Sequence, residues 1–140
     1  MFIGQYQYKV DDKGRVPLPP KLRREMKEGV ILAKGMGEKC IAVYTMREWK
    51  RLSDKLAEKA LTPANLRRLN RAMHGSAFSS SLDGQGRIKL PDSLRQYAGI
   101  VDTAIVVGAN ARVELWSEEG WKAEQTAAEE QASQIIESGV

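Results

Sequence analysis

The sequence predicts an α+β fold with pseudo-twofold symmetry, in which two repeated units form one core with flanking helices. The main observation is a motif that occurs twice, 72 residues apart and without a gap, from Asp11 to Arg23 and from Asp83 to Arg95. Each copy is followed by the same order of β-rich and helical segments. Two units are too few for a solenoid, which needs at least about three repeats. We place the units at residues 1–72, with a helical extension, and 73–140, with a C-terminal helix.

The elements of the first unit follow from local patterns. Alternation of polar and apolar residues over 5–10 predicts a strand, and the turn at 11–14 contains Gly14, which can take a positive φ. A short strand is predicted at 15–18, and because Pro17 cannot donate to a ladder, this strand lies at an edge or ends there. Pro19-Pro20 then opens a short helix to Met26, because proline is tolerated only in a first turn. The β-rich runs 30–34 and 40–44 predict a hairpin.

Two helices complete the first unit, and a similar plan is repeated in the second. Thr45 and Glu48 fit a capping box at the start of one helix, and Thr62-Pro63 begins the next. In the second unit we expect strands at 78–82 and 87–90, a short helix at 94–97 ended by Gly99, a hairpin at 103–107 and 112–116, and a final helix capped by Ser117. One stripe of that helix, formed by Ala128, Ala132 and Ile135, indicates packing in the core or between subunits rather than a cofactor site.

The composition excludes several functional classes. The single cysteine, Cys40, and the single histidine, His74, exclude an intrachain disulfide and leave little for a metal site. The start of the chain does not resemble a signal peptide, and no apolar run approaches the roughly 18–20 residues of a membrane span. Phosphate-loop and Gly-x-Ser-x-Gly motifs are missing, and His74 is interpreted as a linker residue. We therefore expect a cytoplasmic protein that is not an enzyme, with no cofactor and no membrane partner.

Charge is distributed unevenly along the chain. Residues 1–72 carry 17 Lys/Arg and 8 Asp/Glu, a net charge of +9, whereas residues 73–140 carry 5 and 10, a net charge of −5. A chain with one basic half and one acidic half can attract a polyanion or a second copy of itself. The alternative is that these are two solvated faces of opposite sign.

The repeated Asp-x-x-x-Arg turn has two interpretations. It can be a local ion pair, which at an exposed position stabilises by at most about 1 kcal/mol. It can also present arginine to nucleic acid, because the planar guanidinium binds phosphate or guanine through two hydrogen bonds. Arg23 and Arg95, on the short helices, are the arginines most suited to a structural role. The candidate DNA-binding residues are Arg15, Arg87, Lys13, Lys89 and Lys21.

The doubled motif resembles the MraZ family of bacterial regulators, which carry two SpoVT/AbrB-type domains in one chain. The resemblance rests on Asp-x-x-x-Arg followed by Leu-Pro-x-x-Leu-Arg in both copies, and on the Met1-Phe2-Ile3-Gly4 start. It covers essentially the whole chain. It implies a β-barrel-like core of the double AbrB, swapped-hairpin type. It also implies a sequence-specific, nucleoid-associated transcriptional regulator of the division and cell-wall gene cluster, which acts on its own promoter and binds tandem DNA repeats as a closed ring of subunits.

The resemblance also implies roles for individual residues. Arg15 and Arg87 would contact double-stranded DNA, while Asp11 and Asp83, with Gly14 and Gly86, would brace the loops. The first loop should contribute more affinity because Lys13 is replaced by Gln85 in the second. The alternatives are an AbrB-like antitoxin module, a ring-forming structural protein without DNA binding, and a β-barrel enzyme with an anionic substrate. The last lacks a plausible nucleophile or base.

Overall fold

The computed structural model describes residues 1–139, which form eight β-strands and five α-helices. The strands are β1 (Gln5–Lys9), β2 (Arg15–Pro17), β3 (Val30–Lys34), β4 (Ile41–Thr45), β5 (Phe78–Ser80), β6 (Arg87–Lys89), β7 (Thr103–Ala109) and β8 (Arg112–Trp116). The helices are α1 (Pro20–Arg23), α2 (Met46–Lys59), α3 (Pro63–His74), α4 (Asp92–Ala98) and α5 (Glu118–Gly139), and a 3-10 turn (Arg24–Met26) follows α1.

The strands form two antiparallel sheets, which confirms the α+β class. One sheet has six strands in the order β1-β7-β8-β4-β3-β5, and the other pairs β2 with β6. Over the described residues the six-stranded sheet is open, because β1 and β5 lie at its two edges. A barrel-like core of the swapped-hairpin type is therefore not confirmed.

The two repeated units exchange strands with each other. The first strand of the chain, β1, pairs with β7 of the second unit, and β5 of the second unit pairs with β3 of the first. The ribbon of β2 and β6 also takes one strand from each unit. As a consequence the main core is shared: Leu18 and Leu22 are buried in the same cluster as Leu90 and Leu94.

Local signals in the sequence account for many of the element boundaries. Pro17 ends β2 because proline cannot donate to a sheet ladder. Gly99 ends α4 in the left-handed conformation, with φ of +68°. Thr45 Oγ1 accepts the N–H of Glu48 at 3.1 Å, but the Glu48 carboxylate contacts Arg51 instead of returning to the cap. The predicted capping box is therefore only half formed.

The outer face of the six-stranded sheet is covered by α2 on one half and by α5 on the other. Trp49 of α2 packs on Tyr44, with ring centroids 5.3 Å apart, and Trp121 of α5 packs on Trp116 at 5.9 Å. Both pairs are related by the 72-residue offset of the repeat. Within residues 1–139, no helix, α5 included, has the length and apolarity needed to cross a membrane.

Two expectations about the helices are corrected by the structure. His74 is not a linker: it lies in the last turn of α3, where its ring packs edge-on against Trp49 at 5.2 Å. The stripe on α5 is not part of the core, because Ala128, Ala132 and Ile135 are exposed in their own chain. The interpretation of this stripe as a surface between subunits stays a prediction.

Candidate nucleic-acid interface

The β2–β6 ribbon brings the two Asp-x-x-x-Arg loops side by side. In its register Arg15 pairs with Lys89 and Pro17 pairs with Arg87. The ribbon continues into both loops, because the N–H of Leu18 donates to Gly86 O at 3.0 Å and the N–H of Leu90 donates to Gly14 O at 2.8 Å. The pairing places Arg15 and Arg87 at equivalent positions of one antiparallel element.

Asp11 organises the first loop through three hydrogen bonds. Its Oδ1 accepts the backbone N–H groups of Lys13 and Arg15, both at 2.9 Å, and its Oδ2 accepts Nε of Arg15 at 2.7 Å. The carboxylate therefore orders the backbone of the turn and orients the arginine side chain. This is the geometry that a bracing residue requires.

Asp83 repeats this arrangement in the second loop. Its Oδ1 accepts the N–H groups of Gln85 and Arg87 at 2.9 Å, and its Oδ2 accepts Nε of Arg87 at 2.8 Å. The repetition extends to individual atoms, although Lys13 is replaced by Gln85. Asp12 is also replaced, by Gly84, so the two sequence differences remove one positive and one negative charge and leave both the net charge and the hydrogen bonds of the turn unchanged.

These hydrogen bonds lower the pKa of both aspartates below the ordinary value of 3.8. In each loop the main cause is the backbone N–H of the arginine; partial desolvation opposes it, and the arginine side chain adds to the decrease. Hydrogen bonds to a carboxylate stabilise its charged form. Because the folded-state pKa lies below the unfolded one, ionised Asp11 and Asp83 stabilise the fold above the unfolded pKa, and that stabilisation is lost as the pH falls through the folded pKa.

We therefore expect the Asp11→Asn/Asp83→Asn double variant to lose less stability than the wild type on acidification. The wild type should show the additional loss from about pH 4 downward, where these two carboxylates begin to be protonated in the unfolded chain but are still ionised in the folded one. Thermal unfolding followed by circular dichroism between about pH 6 and pH 2 measures the difference in slope. Parallel Tm profiles for the two proteins would contradict the assignment.

Two glycines and two further arginines fix the loops against the core. Gly14 and Gly86 have φ of +77° and +74°, a region in which a side chain is strained. A Cβ on Gly86 would overlap the guanidinium of Arg23, whose Nε donates to Leu18 O at 2.7 Å. Arg95 approaches Gly14 and donates from Nη2 to Val101 O at 2.7 Å. Arg23 and Arg95 thus have the structural contacts expected of them, each beside the loop of the other unit.

The guanidinium groups of Arg15 and Arg87 keep most of their donors available. Their side chains are 28% and 26% exposed, and in each the hydrogen bonds to Asp engage Nε. Within residues 1–139 the Nη atoms of both arginines donate no hydrogen bond, so the four Nη N–H donors of Arg15 remain for a ligand, whereas those of Arg87 lie beside a second carboxylate. Lys13, Lys89 and Lys21 are exposed on the same loops and on α1.

The two loops differ in one ion pair. Nη1 of Arg87 lies 3.7 Å from Oδ2 of Asp11, so Arg87 has carboxylates from both loops nearby. Over residues 1–139 Arg15 forms an ion pair with Asp11 only. Arg15 is therefore the less neutralised of the two arginines, and its loop also carries Lys13.

A second charged cluster, which was not predicted from the sequence, lies on the outer face of the sheet. Nη2 of Arg112 donates to Oε2 of Glu114 at 2.6 Å and to Oε1 of Glu38 at 3.2 Å, and Nη1 donates to the Tyr44 hydroxyl at 2.7 Å. Glu114, only 9% exposed, also accepts Nε1 of Trp116 at 3.1 Å. The available signal was the spacing of Arg112 and Glu114, because residues two apart on a strand share a face.

Burial and hydrogen bonding set the ionisation of this cluster. Burial disfavours the charge of Arg112, but the contacts with Tyr44 and Glu114 outweigh it and place the pKa of Arg112 above its ordinary value. Burial, followed by the charge of Glu114, raises the pKa of Cys40 to about 12. A buried thiol with so high a pKa is a poor nucleophile. Within residues 1–139, no three His, Cys, Asp or Glu side chains are grouped closely enough to hold a metal ion.

Comparison with known families accounts for the repeat. The family model described as "MraZ protein, putative antitoxin-like" matches residues 1–72 and again residues 73–139. The chain belongs to the MraZ family. The resemblance inferred from the two Asp-x-x-x-Arg motifs is therefore confirmed.

Similar proteins in this family come from several bacteria. A protein from Dehalococcoides mccartyi named transcriptional regulator MraZ is 51% identical over 138 residues, which are 99% of this chain and 97% of the relative. Proteins of the same name from Caldicellulosiruptor saccharolyticus and Lactobacillus delbrueckii subsp. bulgaricus are 41% and 38% identical. They cover 89% and 98% of this chain, and 86% and 95% of the relatives.

Proposed function

We propose that this protein is a sequence-specific DNA-binding transcriptional regulator whose β2–β6 ribbon contacts double-stranded DNA through Arg15 and Arg87. The observation that carries this proposal is the pair of arginines on one antiparallel ribbon, each held by its loop aspartate through Nε, with no hydrogen bond from its Nη atoms within residues 1–139. The MraZ relatives are named transcriptional regulators, which supports the same function. In this proposal Asp11, Asp83, Gly14 and Gly86 maintain the loops, and the protein is not an enzyme.

The chemistry of the ribbon suits recognition of a groove. A two-stranded ribbon fits the major groove of B-DNA, where a guanidinium can donate to O6 and N7 of guanine. The aspartate holds Nε, so the arginine is oriented before binding and loses less side-chain entropy on contact. Lys13, Lys89 and Lys21 then contact phosphates, which adds affinity without reading sequence.

The wider role follows from the family. We propose that the targets are tandem repeats in the promoter of the division and cell-wall gene cluster, including the gene of the protein itself. A closed ring of subunits would present several ribbons to such repeats, and the protein would act in the cytoplasm at the nucleoid. The proposal keeps residues 1–72 and 73–140 as its two SpoVT/AbrB-like units, which exchange strands and together form a barrel-like core.

An antitoxin-like module is a second candidate, because the family model carries the description "putative antitoxin-like". In that case α5, whose C-terminal half is exposed, would hold a toxin protein. The two functions differ in the surface that matters. DNA binding requires the β2–β6 ribbon, whereas toxin binding requires α5.

Binding to a duplex from the region upstream of the protein's own gene tests the proposal. We expect Arg15→Ala to weaken binding by about 10- to 100-fold, the effect of losing a bidentate contact. Arg87→Ala should have a smaller effect because of its additional ion pair with Asp11. Arg15→Lys keeps the charge but loses the planar fork, so it should recover only part of the affinity. Arg47→Ala, an exposed arginine of α2, is the control.

The measurement is fluorescence anisotropy across a salt series, with circular dichroism to check folding. Wild-type affinity should fall steeply with salt, as expected when phosphate contacts release counterions. If Arg15→Ala and Arg87→Ala bind like Arg47→Ala, the ribbon is not the DNA interface. If the wild type shows no preference for the upstream duplex over a scrambled one, the regulator function itself is wrong.

A further inference from the structure

The C-terminal half of α5 breaks the symmetry between the two units. The helices α2 and α5 occupy equivalent positions, since Trp49 and Trp121 are related by the 72-residue offset. The first unit interrupts its helix after Lys59 and begins α3 at Pro63. In the second unit Ile135 stands where the first has Pro63, so α5 continues without a break to Gly139. This extension has no counterpart in the first unit.

One face of α5 that runs into the extension is lined mainly by Ala and Ile side chains and is exposed from Ala128 onward. We use the name "α5 stripe" for this face, which comprises Glu124, Ala127, Ala128, Gln131, Ala132, Ile135 and Ile136. Ile135 and Ile136 are 61% and 65% exposed, and residues 128–139 are all exposed in their own chain. Anchors at i, i+4, i+7 and i+8 are typical of helices that bind an apolar groove.

An apolar groove that could accept the α5 stripe lies on the other half of the molecule. This "α2–α3 groove" lies between α2, α3 and the β3–β4 hairpin, and encloses about 320 Å³. Its walls are largely apolar and aromatic, and include Trp49, Leu52, Leu69, Met73 and Tyr97.

The charges around the two surfaces are opposite. In α5 six glutamates accompany the single Lys122. In α2 and α3 eight Lys and Arg residues, with Arg67 and Arg68 among them, outnumber three acidic ones. Opposite charges around an apolar contact increase the association rate and disfavour incorrect partners.

We propose that the α5 stripe of one protomer docks in the α2–α3 groove of a second copy of this chain. The inference rests on the self-assembly included in the proposed function and identifies the two surfaces that form it. Because stripe and groove are different surfaces, the contact is heterologous, and repeated head to tail it closes into a ring if the rotation permits. In its own chain the stripe is left exposed from Ala128 onward, and α5 lies over the half of the sheet opposite to α2.

Disruption of the stripe tests the proposal. In the Ile135→Glu/Ile136→Glu variant the apolar anchors are lost and a like charge is added to an acidic helix. The concentration at which the protein is half assembled should rise by about tenfold or more, as measured by size-exclusion chromatography with light scattering. Val101→Glu, at an apolar position that is 68% exposed and far from the stripe in sequence, should assemble like the wild type. Unchanged assembly of the double variant would overturn the proposal.

Cross-linking checks which surfaces meet. A chain with Ile135→Cys is mixed with a chain carrying Leu69→Cys in the groove, and disulfide formation is followed by non-reducing electrophoresis. Native Cys40 should not interfere, because burial raises its pKa to about 12. We expect a mixed disulfide that is absent when the second chain carries Leu61→Cys, an 89% exposed position before α3. Equal yields for Leu61→Cys and Leu69→Cys would overturn the docking.

Failure of this inference can be separated from failure of the proposed function. If the wild type assembles and the stripe variant assembles equally well, only the assignment of the surfaces is wrong. A wild type that stays monomeric at every concentration removes both the ring and the docking. Stripe-dependent assembly in a protein that does not bind DNA would support the docking and contradict the regulator function.

Discussion

Arg112→Met should lower the free energy of unfolding by about 3 kcal/mol, because it leaves Glu114 charged and buried without its partner. Glu114 is 9% exposed, and its Oε2 depends on the guanidinium at 2.6 Å. Methionine has a similar length but offers no donor. The loss should be measured by urea denaturation, with the fluorescence of the three tryptophans, Trp49, Trp116 and Trp121, as the probe.

A double variant shows whether the loss of stability comes from the unpaired buried charge of Glu114 or from the lost packing of the Arg112 side chain. In Arg112→Met/Glu114→Gln the buried charge is removed, while the amide oxygen can still accept Nε1 of Trp116. We expect this protein to return to within about 1 kcal/mol of the wild type, since replacing both members of a buried pair is often nearly neutral. Glu38 needs no compensation, because its side chain is 39% exposed. Equal stability of the single and double variants would show that the charge is not the cause.

Gly86→Ala should lower the free energy of unfolding by about 2 to 3 kcal/mol, through two effects that add. The backbone at Gly86 has φ of +74°, which is unfavourable for any residue with a Cβ. The new methyl group would also overlap the guanidinium of Arg23 and displace it from Leu18 O, to which Nε donates at 2.7 Å. Thermal and urea unfolding both measure the loss.

Two other glycines serve as matched controls for Gly86→Ala. Gly84 lies in the same loop without a positive φ, and an added Cβ there meets nothing within 4 Å, so Gly84→Ala should be nearly neutral. Gly14 has φ of +77° but a milder contact, with Arg95 Nη1 at 3.3 Å, so Gly14→Ala should fall between the other two. A loss for Gly84→Ala as large as that for Gly86→Ala would contradict the explanation.

Features encoded in adjacent residues could be predicted from the sequence. Both hairpins, the ends of the short helices, and the Thr45, Thr62 and Ser117 caps lie at or near the predicted positions, because each depends on a few neighbouring residues. The positions of the two loops could also be predicted, because the motif is repeated. Asp11 and Asp83 each lie four residues before an arginine, and this spacing predicts a local hydrogen-bonded turn.

The remaining features depend on contacts between distant parts of the chain, which local patterns do not encode. Both β1 and β5 read as strands, but nothing in their residues indicates that each pairs with the opposite unit. The Arg112 cluster joins Glu38 and Tyr44 to a strand about 70 residues away. The prediction that His74 is a linker residue is wrong because its contact is with Trp49 on another helix, which the neighbouring residues of the sequence do not indicate.

The exchange of strands has a consequence for synthesis on the ribosome. Residue 5 pairs with residue 107, so β1 has no partner until about three quarters of the chain has emerged. Contacts between residues so distant in sequence slow folding, because the long loop must close before they form. The first half should therefore remain incomplete during translation and complete its sheet only as β7 appears. During that interval β1 can pair with β7 of another nascent chain of the same polysome, so neighbouring ribosomes on one transcript are a source of intertwined dimers.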